Sequence, residues 1–299
     1  MADSGFRCGF VAVVGRPNVG KSTLVNALVG TKVSIVSAKP QTTRHRILGV
    51  ANVPGSQIIF VDTPGLHQAG GKAMNRIMNQ TAAAALSDAD LALFVTECGR
   101  WTGEDEAVLG RLKGFRSPVI AILNKVDRVH PKEAVLEHLS AMSGRYEFAE
   151  LVPTSATRST NLDALRGMIP AYLPESPALF PQDMETDRGP AFRAAETIRE
   201  KLMEILHQEL PYGLTVDVQR YEQRDKKLLI EAIIWVERES QKGIVIGSSG
   251  NKLKQAGREA RVELRDRLGM PVHVDLWVKV KRNWADNEAD LRALGFDEP

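Results

Sequence analysis

Four short stretches of the chain combine residue types, order and spacing suited to phosphate and purine chemistry: GRPNVGKS at 15–22, DTPG at 62–65, NKVD at 124–127 and TSA at 154–156. In the first, Gly15, Asn18, Val19 and Gly20 make a loop whose backbone N–H groups can turn toward phosphate oxygens, and the helix expected next adds its positive end. Lys21 can reach the β- and γ-phosphates, Ser22 offers a hydroxyl to Mg²⁺, and Thr23 completes this set. Asp62 can hold Mg²⁺ through water, and the Gly65 N–H can meet the γ-phosphate. The Asp127 carboxylate can accept from guanine N1–H and N2–H₂. Adenine offers neither donor, and an unpaired carboxylate facing it would cost about 1–3 kcal/mol. Asn124 is expected at the guanine edge, Lys125 along the ring, and the Ser155–Ala156 backbone at guanine O6. The nucleotide is therefore expected to be GTP or GDP.

A second glycine loop, GSSG at Gly247, Ser248, Ser249 and Gly250, has no Lys-Ser or Lys-Thr after it and is too short to enclose phosphates. Lys242, Lys252 and Lys254 flank it, and Ile244, Val245 and Ile246 precede it as an apolar floor. From Lys242 to Arg282, ten Lys/Arg, including Arg258 and Arg261, outnumber four acids. That local excess fits a nucleic-acid footprint or a solvated helix face.

Elements must hold these residues in place. Up to residue 170, the apolar runs CGFVAVVG, IIFVDT, LALFVT, PVIAILNK and ELVPTSA alternate with helical stretches near 21–29, 72–86, 103–113, 132–143 and 161–172. Strands alternating with helices imply an α/β domain with a mostly parallel sheet. A proline-rich, acidic stretch over 174–190 reads as a linker or an extended segment laid on a surface. Beyond it, a helix over 191–208 shows one apolar face through Phe192, Ala195, Ile198, Leu202, Ile205 and Leu206. The order then continues β-β-α-α-β, with GSSG between the two helices. The expected division is 1–173, 174–190 and 191–299.

The bulk properties are those of an ordinary folded chain: 299 residues, 43% hydrophobic, 25% charged, net charge +2. No apolar run reaches the length that spans a bilayer, and the start, MADSGFRCGF, does not read as a secretory signal. Cys8 and Cys98 have no metal-binding spacing and read as buried thiols in a reducing, cytoplasmic compartment.

GRPNVGKS, QTTRHR at 41–46, DTPG, NKVD and TSA together resemble the five motifs of translation-factor-class GTPases, and QTTRHR followed by DTPGLH resembles the Era family. The resemblance puts Thr42 and Thr43 in the first switch, with one of them joining Ser22 and Asp62 at Mg²⁺ when GTP is bound. The catalytic set it implies is Lys21, Thr42, Thr43 and Gly65. Leu66 stands where many signalling GTPases carry a glutamine, so slow intrinsic hydrolysis is expected. In related GTPases an asparagine at the place of Asn18 helps hold K⁺; the alternative here is a loop-capping asparagine.

The α-β-β-α-α-β unit around GSSG resembles a type II KH domain, an α+β fold that clamps single-stranded RNA. By that resemblance the RNA site is Lys242, Ile246, Gly247–Gly250, Lys252 and Lys254. Era family membership implies binding of the 3′ end of 16S rRNA, assistance to 30S maturation and loose presence at the inner membrane face. The protein is expected to be a monomer in solution. A metabolic P-loop enzyme and a GTPase whose KH unit docks only proteins are the competing readings.

Overall fold

The computed structural model describes residues 5–37, 39, 41–65, 72–206 and 213–296. Along the chain run β1 (Arg7–Val14), α1 (Lys21–Val29), β2 (Ile47–Val53), β3 (Ser56–Asp62), α2 (Ala73–Ser87), β4 (Leu91–Glu97), α3 (Gly103–Leu112), β5 (Val119–Asn124), α4 (Ala134–Ser143), β6 (Glu150–Pro153) and α5 (Leu162–Met168). The six strands form one sheet in the order β2-β3-β1-β4-β5-β6, all parallel except β2 against β3. Its apolar strands are covered on both sides: Val11 and Val13 of β1 enter one core, Ala12 and Val14 another. β1 lies between β3 and β4, so the loop after it opens at the C-terminal edge of the sheet, where such folds bind ligands.

β2 was not anticipated. ILGVANV follows QTTRHR directly and pairs antiparallel with β3, placing Ile47 opposite Asp62. This register carries the first-switch threonines back to the end of β3 that bears DTPG.

The proline-rich stretch is an extended segment laid on the surface. Gln57, fully buried in β3, accepts from the amides of Leu179 and Phe180, both at 2.9 Å, and donates to the Phe180 carbonyl at 2.9 Å. Further along, Val50 N–H donates to the Glu185 carbonyl at 2.9 Å and Leu48 N–H to Asp187 at 2.9 Å. The segment thereby covers the edge strand β2 and fixes where the next helix begins.

The second unit comprises α6 (Pro190–Ile205), β7 (Leu214–Arg224), β8 (Lys227–Val236), α7 (Glu239–Ile246), α8 (Asn251–Leu268), β9 (Val272–Val280) and α9 (Glu288–Ala293). β7 and β8 are antiparallel, β8 and β9 parallel. Ala194, Ile198, Leu202 and Leu206 of the α6 segment pack with Leu264 of α8 and Ile230, Ala232 and Ile234 of β8. The remainder of the expected helix, residues 207 and 208, lies outside the described residues.

The two units meet over a broad front. Met74, Ile77 and Met78 of α2 form a core with Trp284, Leu291 and Phe296 from the C-terminal segment. His45 lies between Phe192, edge-on at 5.2 Å between ring centroids, and Phe296 at 4.4 Å. Burial drives its imidazole down to about 4, so it is neutral at pH 7. Of the two tryptophans near the C-terminus, Trp284 is fully buried, whereas Trp277 on β9 is 48% exposed.

Gln57→Leu tests the extended segment. It leaves two amides and a carbonyl without their partner, and we expect a loss of about 2–4 kcal/mol in urea unfolding. A loss below about 0.5 kcal/mol would show that the segment is not held through Gln57.

Candidate functional site

The loop from β1 into α1 is built for close approach. Gly20 caps α1 with φ 99°, and a Cβ there would lie 2.4 Å from the Asn124 amide nitrogen, so a side chain fits neither the backbone nor the space. α1 has no acidic residue in its first turn, so its N-terminal amides face the loop without a competing anion. Lys21 is buried and donates to the carbonyls of Gly15 at 3.0 Å and Arg16 at 3.1 Å. Burial lowers its ammonium to about 8, against the pull of Asp62, so it is still mainly charged at neutral pH.

Three predicted metal-site side chains converge. The Ser22 and Thr43 hydroxyls are 2.8 Å apart, and the Thr43 hydroxyl donates to Asp62 Oδ2 at 3.4 Å. Asp62 Oδ1 is buried and, among the described residues, has no hydrogen-bond partner. Two hydroxyls around a carboxylate with an unused oxygen are the donor set of a hard, hydrated divalent cation, so these residues fit Mg²⁺. The Thr42 hydroxyl turns the other way and donates to the Lys39 carbonyl at 2.6 Å. Of the two threonines, Thr43 is the one brought to Ser22 and Asp62. Gly65 stands against the same loop, where a Cβ would come within 3.0 Å of Pro17. Leu66 and the segment after it, through 71, lie outside the described residues.

Beside this lies a cavity of about 760 Å³ whose walls include Asn18, Gly20, Thr23, Lys125, Asp127 and Thr157. Asp127 accepts from the Ser155 hydroxyl at 2.6 Å, and this bond holds its carboxyl below the usual range. It is thus a fixed anion on the cavity wall.

Two of the expected base contacts carry other bonds as well. The Asn124 side chain donates to the Val19 carbonyl at 2.9 Å and accepts from the Ala156 N–H at 3.1 Å, yet it lines the cavity and keeps a second amide N–H for a base edge. It braces the phosphate loop against the TSA loop. The amides expected at guanine O6 are also engaged, Ser155 with the Thr160 carbonyl and Ala156 with Asn124, so a purine O6 would have to share the Ala156 N–H.

Lys125 reaches the Asn18 carbonyl at 2.6 Å and lies 3.4 Å from Glu97. Arg16 then links Glu97 at 3.2 Å to buried Asp105 at 3.0 Å. This ion network joins the phosphate loop to the base loop. No sequence motif announces Glu97 or Asp105, since they come from β4 and α3.

In the second unit, Gly247 has φ 73°, and a Cβ there would meet Lys252 Cγ at 2.8 Å. Ser248 and Ser249 are exposed at the tip, and Gly250 caps α8. Beside the loop is a groove of about 390 Å³, lined by Leu253, Lys254, Gly257 and Arg261 of α8 and by Val274 and Leu276 of β9. Its floor differs from the expected one. Val245 is wholly buried in the core and Ile244 and Ile246 pack against that core, because α7 turns its apolar side to the sheet. Lys254 and Arg261 line the groove, Lys252 packs under Gly247, and Lys242 stands on α7 at 4.0 Å from Glu239. Arg258 and Arg261, part of the basic excess, belong with the groove and were not among the predicted site residues.

Comparison with known proteins agrees with this geometry. Residues 10–125 match the family described as 50S ribosome-binding GTPase, and residues 209–285 match the KH domain family. The chain is 48% identical over 292 residues to the GTPase Era of Marinobacter nauticus, covering 98% of this chain and 96% of that protein. It is 48% identical over 295 residues to that of Pseudomonas aeruginosa, covering 99% and 97%. Among solved structures, a substituted Aquifex aeolicus Era bound to GDP.AlF4- superposes with a TM-score of 0.93 at 41% identity, covering 97% of this chain and 99% of that one. An Era in complex with MgGDPNP and nucleotides 1506-1542 of 16S ribosomal RNA gives the same score, identity and coverage. The chain belongs to the Era family of GTPases.

Proposed function

We propose that this GTPase is a GTP-controlled RNA-binding switch. Its KH unit takes a single strand from the 3′ end of 16S rRNA, and the protein serves assembly of the 30S subunit. The observation that carries the reading is the pairing, in one chain, of a guanine-type nucleotide site with a basic groove beside a glycine loop. A relative aligned over 97% of the chain was solved with both kinds of ligand, MgGDPNP and the 16S fragment.

In this reading the backbone of Gly15–Gly20 and the start of α1 bind the phosphates, and Lys21 neutralises the β- and γ-oxygens. Ser22, Thr43 and Asp62 hold Mg²⁺, directly or through water, and bound Mg²⁺ offsets the charge that develops on the transferred phosphoryl group. Thr42, in the first switch, and Gly65, in DTPG, position phosphate-facing backbone. Asp127 and the Lys125 stem fix guanine. Asn18 is the residue we assign to a K⁺ ion, and hydrolysis is then expected to be faster in K⁺ than in Na⁺; equal rates in the two salts would instead mark Asn18 as a loop-capping residue. With Leu66 in place of a polar side chain, the attacking water is oriented by backbone groups, and unassisted turnover is slow.

The GSSG backbone carries the RNA backbone past α8, Lys254 and Arg261 meet phosphates, and bases lie on Leu253, Val274 and Leu276. No helix among the described residues is long and apolar enough to cross a membrane. We place the protein in the cytoplasm as a monomer, with any association at the inner membrane face peripheral.

Two experiments follow. Asp127→Asn removes the acceptor for guanine N1–H and N2–H₂, so GTP affinity should fall roughly 10- to 200-fold while xanthosine triphosphate gains. Unchanged guanine preference would contradict the assignment. For the switch, a single strand copying the 3′ end of 16S rRNA is titrated against protein loaded with GDP or a non-hydrolysable GTP analogue, across salt. Tighter binding with the analogue is expected, and Gly247→Asp should abolish it while leaving nucleotide binding intact. Equal affinity in both states would overturn the control mechanism.

A further inference from the structure

α6 has two faces with different work. Residues 194, 198 and 202 pack into the KH core, while Glu196, Arg199, Glu200 and Met203, at helical spacing, are all buried on the other side against the first switch. Arg199, Glu200 and Met203 contact residues of the segment from Lys32 to Thr42, and Glu196 pairs with Arg199. Arg199 Nη2 donates to the Thr42 carbonyl, and Lys39 Nζ donates to the Met203 carbonyl. Glu200 accepts from the Val36 N–H at 2.9 Å and pairs with Lys32. One residue past the metal-site threonine, Arg44 donates to the Leu214 carbonyl at 2.6 Å.

We propose that Arg199 is a positioning residue for the GTPase site: by holding the Thr42 carbonyl, it keeps the Thr43 hydroxyl beside Ser22 and Asp62, so that the KH unit helps complete the GTP-specific metal site in cis. The proposal rests only on the GTP-binding part of the reading above, not on RNA.

The physical basis is the state of the arginine. Arg199 is 1% exposed, its guanidinium held by both oxygens of Glu196 at 2.7 Å, with the Thr42 carbonyl as an additional acceptor. A buried guanidinium is tolerated only with its donors satisfied. Withdrawal of the first switch would cost it the Thr42 acceptor, and undocking of α6 would free the switch. The closed switch and the docked α6 therefore stabilise each other, and such coupling is reciprocal. Because the Thr43 hydroxyl is a ligand needed only when the γ-phosphate is present, the coupling acts on GTP and leaves GDP alone.

The test replaces the buried pair by apolar groups of similar size, Glu196→Leu with Arg199→Met, which avoids leaving a lone buried charge. Affinities for GDP and for a non-hydrolysable GTP analogue are measured with the full chain over a range of Mg²⁺ concentrations. The expected result is GDP affinity within about twofold of the parent, analogue affinity reduced roughly 5- to 50-fold, and half-saturation at higher Mg²⁺. Arg199→Lys should restore part of the difference. If the double variant fails to give a cooperative melt with GDP bound, Glu200→Gln, which weakens the hold on Val36 and Lys32, is read by the same ratio. An unchanged analogue-to-GDP ratio, or an equal loss for both nucleotides, overturns the proposal. Since no RNA enters the assay, its failure is separable from failure of the RNA switch.

Discussion

The first switch is held from two sides, and the rest of the structure depends on that double hold. On one side Thr43 lies against Ser22 and Asp62; on the other, the carbonyl of the residue before it accepts from Arg199 of the second unit. A segment with few apolar contacts of its own would ordinarily sample many conformations. Here its order comes from polar bonds at buried positions, each of which carries a penalty if left unmade. Such an element suits a two-state device, because a change at either end alters the bonds at the other.

The surrounding parts make sense as supports for this arrangement. The β2–β3 register delivers the switch to the sheet edge where Asp62 ends its strand. The extended segment, fixed by Gln57, starts α6 from a defined place on the first unit. The α2 core with Trp284 and Phe296 adds a second, apolar joint next to the polar one. Ala73 N–H donating to Asp286 at 2.8 Å ties the start of α2, downstream of DTPG, to the same C-terminal segment. The first switch and the start of α2 therefore both abut the second unit.

How much of this could be read in the sequence followed from how local each feature is. GRPNVGKS, DTPG and NKVD were legible because each motif lies within one loop at the end of one apolar strand, and the α/β alternation and the α-β-β-α-α-β order were legible from periodicity. β2 was missed because ILGVANV lies directly against a polar motif with no turn residue to mark it off. The bracing work of Asn124 was not legible because its partners, Val19 and Ala156, are brought to it only by the tertiary fold. Val245 looked like groove because it adjoins GSSG, yet the rotation of α7 sends it inward. The polar stripe of α6 was present in plain view at Glu196, Arg199 and Glu200, but a helix with one clear apolar face is read as having a solvated back. Only the docked structure reveals that the back is buried.

A double-mutant cycle between Thr43 and Arg199 tests the shared hold most directly. Thr43→Val, the paired replacement Glu196→Leu with Arg199→Met, and the two combined are compared with the parent for Mg²⁺-dependent affinity toward a non-hydrolysable GTP analogue, each referred to its own GDP affinity. If Arg199 acts through Thr43, removing it after Thr43 is gone should cost little, giving a coupling of at least about 1 kcal/mol. Losses that simply add, within about 0.3 kcal/mol, would mean that the two sides of the switch are independent, and the account would be wrong.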